Sequence, residues 1–421
     1  MSKKALFISD HGDPLAKLGG QQAGGQNNYV KQLALALENK GWQIDIATHW
    51  SDSSEPQIET LGVACRVIRL EAGHKGFVSK DDMYSMLPAF YQELKETVNL
   101  ASYDIVHTHY WLSGLIGKKL KKEFGLPYVH TAHSLAWAKE RATGVHDQRR
   151  ISAEGVILKD TNQILATTKN EKQLIKSFVD SPSPIQVIPI GVDQAFKVRG
   201  NRAHLRKKLG YGHPLFVFAG RLEVTKGIFT LLEAFQLLTN KNNGTHTPRL
   251  IIAGGDAENI DLETKLPKDQ KLRDAIKGIE DRVEFLGPQT QDELALLFNA
   301  ATATIVPSFY ESFGMVAAEA QACGSPVIAS DVGGLKNVVQ DGISGLLVET
   351  KSEVDLAIAM DVLSANTLLA ERLSRQAVKI AKKDFDWDAI SSRISSLYEV
   401  IIDAKSNSLI GNRFRRNTRR Q

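Results

Sequence analysis

The feature that most restricts what this chain can fold into is an alternation of short β-rich runs and helical patterns, completed once and then begun again. Residues 4–9 read as a buried strand, followed by the Gly-rich stretch Gly19-Gly20-Gln21-Gln22-Ala23-Gly24-Gly25-Gln26. Tyr29, Val30, Leu33, Leu35 and Leu37 then recur at helical spacing. Further strand-like runs occupy 41–48, 103–108, 126–131, 163–167 and 185–190. A second series occupies 214–219, 249–253, 283–286, 303–306, 326–329 and 345–348. Such alternation predicts parallel sheets with helices on both faces. The expected fold is therefore α/β, with two doubly wound, Rossmann-like domains facing each other across a cleft. The first domain should span 1–193 and the second 194–387, with 190–193 and the charged stretch to Lys208 as linker. A helix over 388–402 should cross back to the first domain, leaving a basic tail over 403–421. Ligands in such sheets sit beyond the carboxyl ends of the strands, which places the site in the cleft.

Composition narrows the function classes. A chain of 421 residues, 43% hydrophobic and 24% charged, is long enough for two cores and is not a disordered or coiled-coil composition. Cys65 and Cys323 are the only cysteines, too few for a disulfide framework or a four-ligand zinc site. No apolar run approaches the ~18 residues of a membrane span, and no signal-length apolar segment opens the chain. The expected location is the cytoplasm, where the sequon Asn243-Gly244-Thr245 carries no meaning. Five arginines fall within 411–420, and without them the net charge drops from +4 to −1. The basicity belongs to the tail. That argues against a nucleic-acid partner and allows weak contact with an anionic membrane surface.

Three groups of residues carry chemistry. Glu311-Ser312-Phe313-Gly314-Met315-Val316-Ala317-Ala318-Glu319 puts Glu311 in the loop before a helix and Glu319 about two turns further along it, and the free N–H groups of the helix start suit a negative ligand; the bland alternative is a pair of solvated helix charges. Arg221 and Lys226 follow a buried strand and supply the charge a diphosphate needs, an Arg221–Glu223 surface pair being the alternative. Gly254-Gly255 and Gly333-Gly334 follow other strands at the same edge. His133 follows a strand and is either structural or part of the site. Reading His107, His109, His130 and His133 as a metal cluster finds neither helical i, i+4 spacing nor nearby carboxylates. Asp384-Phe385-Asp386-Trp387-Asp388 matches a metal-binding D-x-D pattern, but helix capping explains it better. No metal and no cofactor are expected.

Gly24-Gly25-Gln26, His133, Arg221 with Lys226, and the 311–319 motif resemble the marks of retaining nucleotide-sugar glycosyltransferases of the GT-B fold, family 4. That family contains sucrose-phosphate synthase and the D-inositol-3-phosphate glycosyltransferase of mycothiol synthesis. The resemblance runs from Ile8 to about Val400. It implies that Arg221 and Lys226 hold the diphosphate, and that Gly24, Gly25 and Gln26 approach it from the opposite wall. Glu319 would accept from ribose hydroxyls. Glu311 and the backbone of Phe313, Gly314, Met315 and Val316 would bind the donor sugar, beside His133. Lys80, Tyr110, Ser134, Arg149 and Arg150 would grip a small phosphorylated acceptor.

The implied reaction moves a hexosyl group, with UDP-glucose or a similar sugar nucleotide as donor, in the manner of sucrose-phosphate synthase. Inositol-phosphate N-acetylglucosaminyl transfer and a lipid or polysaccharide acceptor are the alternatives. A nucleotide-sugar 2-epimerase shares the architecture but lacks the 311–319 pattern. A dinucleotide dehydrogenase would need G-x-G-x-x-G after the first strand, which 19–26 does not supply. The oligomeric state is left open.

Overall fold

The computed structural model describes residues 3–16, 24–80, 82–212, 214–241, 248–261 and 263–417, the last ten as backbone only. Gly19 to Ala23, the sequon at 243–245 and the side chains of the terminal arginines lie outside the described residues.

The first sheet has eight strands: β1 (Lys3–Ile8), β2 (Trp42–His49), β3 (Ile58–Thr60), β4 (Cys65–Leu70), β5 (Ile105–His109), β6 (Tyr128–Thr131), β7 (Gln163–Ala166) and β8 (Ile185–Val187). Their order is β3-β4-β2-β1-β5-β6-β7-β8, parallel except for β3, which runs antiparallel to β4. Ala5 of β1 lies between Ile44 of β2 and Ile105 of β5. Ala5 to Ile8 are fully buried, as expected of a strand covered by helices on both faces.

The second sheet is built from β9 (Leu215–Ala219), β10 (Arg249–Ala253), β13 (Val283–Gly287), β14 (Ala303–Val306), β15 (Val327–Ser330) and β16 (Gly345–Val348). Its order is β13-β10-β9-β14-β15-β16, all parallel, and a small hairpin of β11 (Ile260–Asp261) and β12 (Leu266–Pro267) stands beside it. In each sheet the strand order reverses at one point, between β1 and β5 and between β9 and β14. Those are the crevices where doubly wound sheets take ligands.

Several elements differ from the sequence expectation. β3, β4 and the β11–β12 hairpin were not anticipated, and the 185–190 run ends as a strand at Val187. Within the expected linker, Arg202–Lys208 is a helix capped by the Asn201 side chain. The terminal helix runs Trp387–Asn417, well beyond 402, so a tail beginning at 403 is corrected to helical backbone. No proline interrupts that stretch, and its first glycine is Gly411.

That helix is fastened to the first sheet. Tyr398 Oη lies 2.6 Å from His107 Nδ1, Trp42 Nε1 donates to Ser395 Oγ at 2.9 Å, and Lys40 pairs with Asp388 at 2.6 Å. Asp386 Oδ1 accepts from Ala389 N at 2.9 Å, so both aspartates have capping or pairing partners. Trp387 sits against Gly191, where a Cβ would come within 2.3 Å of the indole.

Candidate active site

The two switch points face one cavity of about 950 Å³. Gly24, Gly25 and Asn28 line it from the first domain's side; Gly220, Arg221, Met315, Val316 and Glu319 line it from the other. Two helix N-termini meet there, those of Gly25–Glu38 and Met315–Ala322. They come so close that a Cβ on Gly25 would stand 3.2 Å from Met315 Sδ. First-turn N–H groups have no intrahelical acceptor, so this meeting is suited to a negative ligand. Gly314, at φ 100°, supplies the left-handed turn from which the second helix starts.

Glu311 lies in the loop after β14 and Glu319 within the helix. Lys226 Nζ pairs with Glu311 Oε1 at 2.5 Å, and Ser308 Oγ donates to the same oxygen at 3.0 Å. Arg221 pairs with Glu223 at 2.7 Å and is exposed, so its charge faces open space with one acidic neighbour. Glu319 is buried, and burial, then the Asp193 carboxylate, pushes its carboxyl up to about 7. Phe313 is buried against Phe385, ring centroids 5.7 Å apart, so only its backbone is available to a ligand. Gly254 and Gly255 also line the cavity, and the glycine pairs approach protein closely: a Cβ on Gly254 would meet Gly220 O, and Cβ atoms on Gly333 and Gly334 would meet the backbone of Glu311 and Ser312. They shape the loops that carry Arg221 and Glu311. Gln26 donates to Ser9 Oγ at 3.1 Å, tying the helix start to the end of β1.

Beside the cleft on the first sheet's edge, Tyr110 at φ 75° and His133 at φ 60° hold left-handed backbone without being glycine. Such strain persists only where the surroundings impose it. Tyr110 is ringed by His11 (4.5 Å), the Arg150 guanidinium (4.6 Å) and Lys80 Nζ (5.7 Å). Arg150 is buried and already engaged, with Glu154 at 2.7 Å and with both Ser134 oxygens at 2.8 Å, so it fixes Ser134 in place. Arg149 lies apart, exposed over the Tyr84 ring at 4.8 Å. The protein around Lys80 lowers its pKa, and the charges of Arg221, Arg150 and Lys139 lower it further, with Asp10 opposing. His133 Nε2 faces His109 Nδ1 at 3.1 Å, and burial, then His130, His11 and Lys80, holds its pKa down at about 3. Lys226, Glu311, His133 and the acceptor-side residues border the cleft without lining the 950 Å³ cavity. Among the described residues no group of three or more His, Cys, Asp or Glu side chains is placed to hold a metal.

Sequence reasoning missed Asp10, His11, Asp193 and Tyr310. Asp10 and His11 follow β1 directly, at the edge where such sheets bind ligands, and that position was the available signal. Asp193 and Tyr310 carried none, since their roles depend on contacts across the cleft with Gln32 and Leu135.

Facing doubly wound domains, with a cation-bearing loop and a helix N-terminus at the cleft, define the GT-B architecture of nucleotide-sugar enzymes. The chain matches the family profile Glycosyltransferase Family 4 over residues 23–196 and Glycosyl transferases group 1 over 201–380. It is 33% identical over 406 residues to the D-inositol 3-phosphate glycosyltransferase of Actinosynnema mirum, covering 94% of this chain and 97% of that protein. The same-named protein of Acidothermus cellulolyticus is 35% identical over 407 residues, covering 94% and 90%. Among solved structures, sucrose-phosphate synthase from Thermosynechococcus elongatus superposes with a TM-score of 0.86 at 32% identity, covering 96% of this chain and all of that one. The Anabaena protein HepE, solved with UDP and glucose, superposes at 0.73 with 20% identity and 94% of this chain covered, a likeness of fold. The chain belongs to the family 4 glycosyltransferases and is a GT-B enzyme. Among the described residues no helix is long and apolar enough to cross a membrane.

Proposed function

We propose that the enzyme transfers a hexosyl group, with retention of configuration, from a nucleoside-diphosphate sugar to a small phosphorylated acceptor in the cytoplasm. UDP-glucose is the first donor to consider and fructose 6-phosphate the first acceptor. The observation that carries this reading is the convergence of cations at the cleft, Lys80 Nζ and the Arg150 guanidinium on the Tyr110 ring at 5.7 and 4.6 Å from the first domain and Arg221 on the cavity wall of the second. Two phosphate-bearing substrates would supply the missing negative charge. In this reading residues 194–387 hold the donor: Arg221 and Lys226 take the diphosphate against Gly24, Gly25 and Gln26, and Glu319 takes the ribose. Glu311 and the backbone from Phe313 to Val316 take the sugar, with His133 beside it. Residues 1–193 hold the acceptor at Lys80, Tyr110, Ser134, Arg149 and Arg150. Stabilising the departing diphosphate and the cationic sugar is mainly electrostatic, and that phosphate takes the acceptor's proton, so no metal or cofactor is invoked.

Inositol phosphate is the second reading for the acceptor, favoured by the names of the curated relatives. The test is transfer from a panel of sugar nucleotides to each acceptor in detergent-free buffer, with the anomeric configuration of the product read by NMR. Lys80→Ala should raise the acceptor KM about tenfold or more and leave the donor KM within about twofold, as expected for one lost charge-assisted hydrogen bond. Transfer only to a lipid, or an inverted product, would overturn the proposal.

A further inference from the structure

The histidine group behind the cleft is not a set of equivalent side chains, and its hydrogen bonds dictate where the protons lie. His107 has both nitrogens occupied, Nδ1 by Tyr398 Oη at 2.6 Å and Nε2 by Thr131 Oγ1 at 2.9 Å. His109 has one bond, from its Nδ1 to Nε2 of His133 at 3.1 Å. Its Nε2 is buried without a partner. The rings packed on His109 are Phe7 at 5.2 Å, Tyr29 at 5.8 Å and His107 at 4.2 Å, and none offers that nitrogen a free polar atom. Phe7 has none, both His107 nitrogens are already bonded, and Tyr29 makes no hydrogen bond to it. Both His109 and His133 are neutral near pH 7, because burial holds their pKa values well below it. Each ring therefore carries one proton.

A buried N–H without an acceptor is rarer in folded proteins than an acceptor without a donor. The proton of His109 therefore belongs on Nδ1, leaving only a lone pair at the isolated Nε2. That Nδ1–H points at Nε2 of His133, which must then be the unprotonated nitrogen. We propose that His109 is a positioning residue whose Nδ1–H, donated to Nε2 of His133, holds His133 in the tautomer with its proton on Nδ1. The remaining donor of the half-buried His133 ring is then fixed at Nδ1–H, on a ring whose charged neighbour is Lys80 of the cleft. A hydroxyl of the bound sugar would meet a donor there and not a lone pair, which selects its orientation before any contact is made. This consequence for catalysis rests on the placement of His133 beside the donor sugar; the tautomer itself does not.

Long-range proton–nitrogen correlation NMR of protein labelled with 15N-histidine reads the tautomer directly, with His133→Gln identifying the resonances. The expected spectrum shows His133 protonated at Nδ1 and bare at Nε2 at pH 7.5. Protonation at Nε2 would overturn the inference. His109→Asn places an amide N–H near the former Nδ1 and should keep the tautomer, with kcat within about threefold of native. His109→Phe keeps the volume but not the donor, and should give mixed tautomers with kcat reduced about tenfold or more and donor KM little changed. A folded His109→Phe enzyme with native tautomer and native kcat would also overturn it. Should no sugar nucleotide be used at all, the proposed function fails while the native spectrum still decides the tautomer.

Discussion

At the scale of single residues the cleft is held together by charges that would have to exchange partners when substrate arrives. Lys226 and Glu311 neutralise each other at 2.5 Å, with side chains 26% and 19% exposed, so neither is fully desolvated and the pair can open. In the proposed function, a diphosphate competing for Lys226 would release Glu311 to accept from a sugar hydroxyl, which would couple the two halves of donor recognition. Lys226→Ala should therefore lower kcat by roughly 10²–10³-fold, the scale of losing one preorganised electrostatic stabiliser. The midpoint of thermal unfolding should move little, because a partly exposed pair contributes little to stability. Turnover within threefold of native would remove Lys226 from the donor site.

At the scale of elements, the crossing segment between the sheets ties the 311–319 loop to the first domain. Val192 N donates to Phe385 O at 2.8 Å, Phe385 packs on Phe313 at 5.7 Å, and Trp387 fills the notch at Gly191. Gly191→Ala would push the indole aside, since its Cβ would stand 2.3 Å from the ring. The expected loss is about 1–3 kcal/mol of stability from overpacking, together with a fall in kcat because Phe313 moves with Phe385. Denaturant titration and steady-state kinetics on the one variant measure both, and native stability would show that the notch is not filled as described. The same elements explain what could be read beforehand. Strands such as 303–306 and 249–253 were legible because both faces are buried and the runs are almost wholly apolar. β4 was hidden by two arginines in six residues, Arg66 paired with Asp45 at 2.6 Å and the fully buried Arg69 paired with Asp13 at 2.6 Å and Glu59 at 2.7 Å. The glutamates of the 311–319 motif were found because they lie eight residues apart in one short segment, the loop and the helix that follows it. Asp193 was not, because its neighbourhood is made by residues far away in sequence, Gln32 and Glu319.

At the scale of the whole molecule, the buried titratable groups set how the fold responds to pH, and they pull in opposite directions. His130 and His133 are held at about 3 by burial, and His107 and His109 well below their ordinary value. Each binds a proton more readily when the chain is unfolded, so stability is full above about pH 6.5 and is lost as pH falls towards the folded-state values. For a buried group such as His130 the loss at pH 5 is about 2 kcal/mol. Glu319, raised to about 7, acts the other way: the folded state binds its proton more tightly, so acidification from 7 towards 4.5 adds stability. Burial likewise raises Glu154 and Glu171. Glu154 is compensated by the Arg150 charge and Glu171 by bonds from Thr167 and Thr168, which shrinks their share. Four histidines against one strongly raised glutamate leave a net loss on acidification. The urea midpoint should therefore fall between pH 7 and pH 5. Because Glu319→Gln removes the opposing group, that variant should fall more steeply than the native protein over the same interval, and an unchanged or shallower slope would mean that Glu319 is ionised in the folded state at pH 5.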